Sequence, residues 1–72
     1  MNNQTIKYFI SLIKKSSLFT RKEKDVLTLR LKHKHLKFIG EKFLVSAERI
    51  RQIEEVALAK FEKEILQLRL FD

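Results

Sequence analysis

Residues 36–55, LKFIGEKFLVSAERIRQIEE, decide the fold of this chain. Ile39 and Phe43 are four apart and share one face of a short helix. Ile50 and Ile53 are three apart, with Ala57 four further on, and mark one face of a second helix. Val45 falls between the two faces, where an apolar side chain closes the corner. Ser46 stands directly before the second run and is a good N-cap; Glu48 in the first turn suits the helix dipole. The spacing predicts a helix over residues 36–43, a turn over 44–46, and a second helix from Ala47. Gly40 is a small residue where the two helices would cross closely. Leu44 stands where such turns often carry Gly, because a positive φ is easy there; Leu in that geometry costs about 1 kcal/mol.

With Ile50, Ile53 and Ala57 turned inward, Ala47, Glu48, Arg51, Gln52 and Glu55 point away from the core. Arg, Gln and Glu are side chains that hydrogen-bond base edges in a major groove, so this face is a candidate reading surface. The bland alternative is a solvated helix face.

The run VSAERIRQIEEVALAKF (residues 45–61) resembles region four of bacterial housekeeping-type sigma factors, the domain that binds the promoter's −35 element. Within it, ERIRQIE followed by Ala57, Leu58 and Lys60 carries the most specific likeness. Upstream, FTRKEKDVLTLR (19–30) looks like the helix that opens this domain, and the terminal LRLFD is similar to the way many such factors end. The resemblance covers residues 18–72. It implies that Glu48, Arg51 and Gln52 approach bases, while Arg49 and Ser46 approach phosphates. It also implies a protein partner, the β flap of bacterial RNA polymerase, bound through apolar surface. Two departures stand out. The family usually carries Arg or another long polar residue where this chain has Ala47, which can touch a thymine methyl but cannot read guanine. The connection KHKH (32–35) is shorter than the loop of housekeeping factors.

The remaining sequence fits an all-α domain of four or five helices, spanning residues 1–72 and ending in a long recognition helix; the helix-turn-helix occupies about 36–61. One Gly and no Pro in 72 residues argue against a turn-rich β fold. Ile6, Phe9, Ile10 and Ile13 mark an amphipathic first helix. A basic amphipathic helix can also lie on a membrane, but packing on the domain is the stronger expectation. After a break at Ser16 and Ser17, the stretch Thr20-Arg21-Lys22-Glu23 fits a capping box that starts a helix running to about Lys32. The last helix should run from Ala47 to about Leu68, its inner face continued by Phe61 and by Ile65 or Leu66. Arg51–Glu55 and Lys60–Glu64 are i,i+4 pairs of opposite charge on it. The apolar tail 66–71 should fold back on the first helix, or else form a docking surface.

Charge is uneven. Residues 1–45 hold 11 Lys/Arg against 3 Asp/Glu, a net +8, while residues 46–72 hold 5 against 6, a net −1. Lysines such as Lys34 and Lys37 would therefore serve phosphates while the last helix reads bases. Without Cys there is no disulfide or thiolate chemistry, and His33 and His35 have no further ligand to complete a metal site. No catalytic constellation, Gly-rich phosphate loop or cofactor motif is present in the sequence, so a DNA-binding protein rather than an enzyme is expected, with no cofactor and no metal. No apolar run has the length of a membrane span and no signal-peptide pattern opens the chain, so the expected location is the cytoplasm, with the nucleoid.

The reading that follows is sequence-specific double-stranded DNA binding at −35-type elements, acting with RNA polymerase. Nothing in 72 residues supplies the region that opens the −10 element. The chain would thus be a fragment, half of a split factor, or a stand-alone regulator, with an anti-sigma or other protein as a further possible partner. Two other readings compete. One is a helix-turn-helix regulator that binds an operator as a dimer through the apolar tail. The other is an interaction module that binds polymerase or a transcription factor without reading DNA.

Overall fold

The computed structural model describes residues 2–69. They form four helices: α1 (Asn3–Lys15), α2 (Arg21–Leu31), α3 (Leu36–Phe43) and α4 (Ala47–Arg69). The expected all-helical class is therefore found, with four helices and no strand among the described residues. None of these helices is long and apolar enough to cross a membrane.

Each helix start is encoded locally. Asn2 caps α1 by accepting the Thr5 N–H at 2.8 Å. Thr20 and Glu23 form the expected capping box: the Thr20 hydroxyl accepts the Glu23 N–H at 3.2 Å, and the Glu23 carboxylate accepts the Thr20 N–H at 2.9 Å. Ser46 accepts the Arg49 N–H at 3.0 Å and opens α4.

Two helix ends share one device. At the end of α3, Leu44 adopts the left-handed conformation (φ 59°), and the Val45 N–H bonds back to the Gly40 carbonyl at 2.9 Å. At the end of α2, His33 does the same (φ 65°), and the Lys34 N–H reaches the Leu29 carbonyl at 3.0 Å. This is the Schellman arrangement, which satisfies helix-end carbonyls and reverses the chain within three residues. It makes a short KHKH connection sufficient. The strain expected at Leu44 is thus present, on a side chain left 91 % exposed.

The core has two clusters joined by α2. Val26 faces one, with Ile39, Ile50 and Ile53 and the half-buried Leu36, Phe43 and Val45. Leu27 faces the other, with Ile13, Phe19 and Ala57 and the half-buried Leu31 and Phe61. Each fully buried Ile contributes about 1.5–3 kcal/mol of transfer free energy. Val26, Ile39 and Ile50 are fully enclosed, so the helix-turn-helix is the tighter half of the molecule. The apolar stripe of α1 turns inward, with Ile13 buried and Phe9 edge-on to Phe61 at 5.9 Å between ring centres.

Gly40 is needed, though its close neighbour is the turn rather than the body of α4. A Cβ there would lie 2.6 Å from the Val45 carbonyl oxygen and 3.3 Å from the Ala47 nitrogen.

One expected ion pair is replaced. Lys60 does not pair with Glu64 on its own helix. Its Nζ lies 2.8 Å from Glu23 on α2, while Glu64 accepts the Ser16 hydroxyl at 3.2 Å. Glu23 is almost fully buried, so it needs a cation more than an exposed carboxylate does. Of the apolar tail, Leu66 is about half exposed. The fold-back expected for residues 70 and 71 lies outside the described residues.

Candidate nucleic-acid interface

The candidate surface is the solvent side of the first two turns of α4. Ile50 and Ile53 anchor these turns in the core, which fixes the helix rotation. Glu48, Arg49, Arg51, Gln52 and Glu55 are all exposed there, as the 3.6-residue period requires, and Ala47 is half-buried at the helix start. Ser46 is exposed at the cap.

Arg51 is not free. Its Nε donates to both oxygens of Glu48, at 3.0 and 3.1 Å, its Nη2 also donates to Glu48, and its Nη1 donates to Glu55. The sequence pointed to the Glu55 pair; Glu48, three residues before Arg51, completes the clamp. Hydrogen bonding from Arg51, aided by its charge, holds the Glu48 carboxyl below its usual range. The same hydrogen bonding and charge from Glu48, with Glu55 adding charge, raise Arg51 further above its already high value. The guanidinium has five N–H donors, so two remain for a ligand while the clamp holds. Two carboxylates against one guanidinium give the three side chains a formal net charge of −1.

Two cationic groups flank this face. Lys22, from the first turn of α2, lines a cleft of about 300 Å³ together with Thr20, Arg49, Gln52 and Val56. Sequence reasoning did not place Lys22 here, because the pairing of α2 with α4 is a long-range contact. The signal available was Lys22 beside the Thr20 cap, in a helix that resembles the family's opening helix. On the other side, Lys34 extends its Nζ over the Phe38 ring at 5.3 Å from the centroid. Lys37 is exposed on α3. Arg30 fixes this region, bonding the Lys34 carbonyl at 2.9 Å and the Glu54 carboxylate at 2.6 Å. The KHKH connection is thereby tied to α4.

His33 and His35 are both exposed. His33 serves the helix end described above, and His35 precedes α3 without a side-chain capping bond.

Neither a curated protein nor a solved structure matches the chain. A family model described as sigma-70, region 4 matches residues 19–61. The match takes in α2, α3 and the first fifteen residues of α4, and leaves α1 outside. Of these, α3 and α4 build the helix-turn-helix, and α4 presents its exposed face. The chain therefore belongs to the sigma-70 region 4 family, a family of helix-turn-helix DNA-binding domains of transcription rather than of enzymes.

Proposed function

We propose that the chain works as one domain that reads a promoter element of the −35 type in double-stranded DNA, in concert with bacterial RNA polymerase in the cytoplasm. The observation that carries this reading is the rotation of α4. Ile50 and Ile53 lock one face into the core while Glu48, Arg51 and Gln52 are exposed on the other, beyond a Ser46 cap. Glu48 accepts from a cytosine amino group, Gln52 pairs with adenine, and Arg51 donates to guanine through the N–H groups its clamp leaves open. Lys22 and Arg49 on one side and Lys34 and Lys37 on the other are the phosphate contacts of this reading. The β flap of the polymerase is the proposed protein partner. An apolar surface suited to such a partner lies between α1, α2 and α4: a cleft of about 470 Å³ lined by Phe9, Leu27, Leu31, Leu58 and Phe61.

Fluorescence anisotropy tests the reading, on duplexes carrying TTGACA-like elements and on scrambled controls, between 50 and 250 mM salt. A preference of about tenfold or more, 1.4 kcal/mol, is expected. Equal binding to both duplexes that collapses with salt would be counterion release alone and would remove the base-reading proposal.

A second reading, a module that binds polymerase or a transcription factor without reading DNA, is favoured by two features. Ala47 lacks a base-reading group, and Arg51 is engaged by two carboxylates. Retained polymerase binding without DNA binding would select it.

A further inference from the structure

The α1–α2 pair has two sides. One, carrying Phe9, Ile13, Leu27 and Leu31, faces α4. The other holds a second cleft, lined by Lys7, Ile10, Ser11, Lys14 and Lys15 of α1 and by Lys32 at the end of α2. Four lysines thus converge on a floor of one half-buried Ile and one Ser hydroxyl. A fifth ammonium is close, since Lys24 Nζ donates to the Lys14 carbonyl at 3.0 Å. Among the described residues no carboxylate lines this cleft; Asp25 shares a neighbouring cleft with Lys14. Residues 1–22 contain no Asp or Glu at all, and none of the ion pairs among the described residues involves Lys7, Lys14, Lys15 or Lys32. Gathering like charges without counter-charges costs stability, and a bound polyanion relieves that cost.

We infer that this cleft holds the phosphate backbone of a nucleic-acid segment other than the one under α4. Four observations favour it. Three of the four lysines belong to α1, outside the matched family residues, and the cleft they share with Lys32 of the α2 end has no α4 residue in its lining, so it lies apart from the base-reading face. Lys7 and Lys14 are separated by about 10 Å along α1, at 1.5 Å per residue. Measured along a duplex axis, that is the rise of about three nucleotides of one strand, at 3.4 Å each. The heads are ammonium point charges with a hydroxyl between them, which suits phosphate oxygens without reading sequence. An acidic protein segment would want a deep apolar pocket for an anchoring side chain, and Ile10 on a shallow floor provides none.

The inference rests on the reading of the chain as a DNA-binding protein but not on base recognition by α4. The test compares the full chain with the variant K7Q/K14Q/K15Q/K32Q on 30-base-pair duplexes, one with a −35-type element and one scrambled, between 50 and 250 mM salt. Each lost phosphate contact lowers the slope of log affinity against log salt by about 0.9. A fall of about two or more is expected, with at least tenfold weaker binding at 50 mM salt on both duplexes and an unchanged preference between them. Slope and affinity unchanged within twofold would overturn the inference, and would leave an acidic protein segment as the better occupant. The two proposals fail separately. No sequence preference in the parent chain with a lowered slope in the variant sinks base reading alone; a preference with an unchanged slope sinks the cleft alone. All four lysines are exposed, so folding should be retained by circular dichroism. Should losing Lys14 and Lys15 fray α1, K7Q/K32Q carries the same test with half the slope change.

Discussion

Lys60 Nζ sits 2.8 Å from Glu23 Oε1, although 37 residues separate them in sequence. One carboxylate thereby accepts three hydrogen bonds from two groups: it closes the capping box of α2 through the Thr20 N–H and holds Lys60 through both oxygens, and so pins α2 across α4. Burial pushes this carboxyl up, but the Lys60 and Thr20 hydrogen bonds and the Lys60 charge outweigh it and hold the group below its usual value.

Stability should therefore fall in acid. A carboxyl with a depressed folded pKa contributes stability that is complete above the unfolded value, about 4.3, and is lost as the pH drops through the folded value. Urea midpoints measured from pH 6 to 3 should decline, and Glu23→Gln should flatten part of that decline. Lys60→Met should cost about 1–2 kcal/mol at neutral pH, a modest figure because the lysine is 35 % exposed. A Glu23→Gln curve parallel to that of the parent chain would show that the pair does not couple folding to protons.

Leu44 is strained without compensation, since its φ of 59° belongs to the left-handed region and its side chain is exposed. Leu44→Gly should stabilise the fold by about 1 kcal/mol, read as a rise in urea midpoint at constant slope. A loss of stability would mean that the leucine makes a contact that offsets its strain.

Gly40→Ala should act in the opposite direction. The added methyl meets a backbone carbonyl, which cannot swing aside as a side chain can. A destabilisation of about 1–3 kcal/mol is expected, despite alanine's better helix propensity. A neutral result in thermal melts would show that the turn at 44–46 gives way at little cost.

Arg51 offers a test of the clamp. Arg51→Ala should weaken binding to the preferred duplex by about ten- to a hundredfold while changing binding to scrambled DNA much less. Glu48→Gln and Glu55→Gln remove negative charge from the face, so each should raise affinity for scrambled DNA. Only Glu48→Gln should also relax the preference at a cytosine. Equal losses on both duplexes for Arg51→Ala would make that residue a phosphate contact.

Much of this molecule is written in neighbours along the chain. The spans of α3 and α4, the Thr20–Glu23 box, the Ser46 cap, the strained Leu44 and the outward set Glu48, Arg51 and Gln52 all follow from spacings of three or four residues, because a helix fixes which side chains share a face. The left-handed turn at His33 is not legible in the sequence, since a positive φ is uncommon in any residue but Gly, although the shortness of KHKH left room for nothing longer than such a turn. What only the tertiary structure decided is which helices face each other. That choice took Lys60 away from Glu64 and gave it to Glu23, set the turn carbonyl of Val45 against Gly40, brought Lys22 beside Arg49, and gathered Lys32 with the lysines of α1. Periodicity says which face of a helix is buried; the crossing of two helices, set by the packing of Val26, Leu27, Ile50 and Ala57, says what meets it.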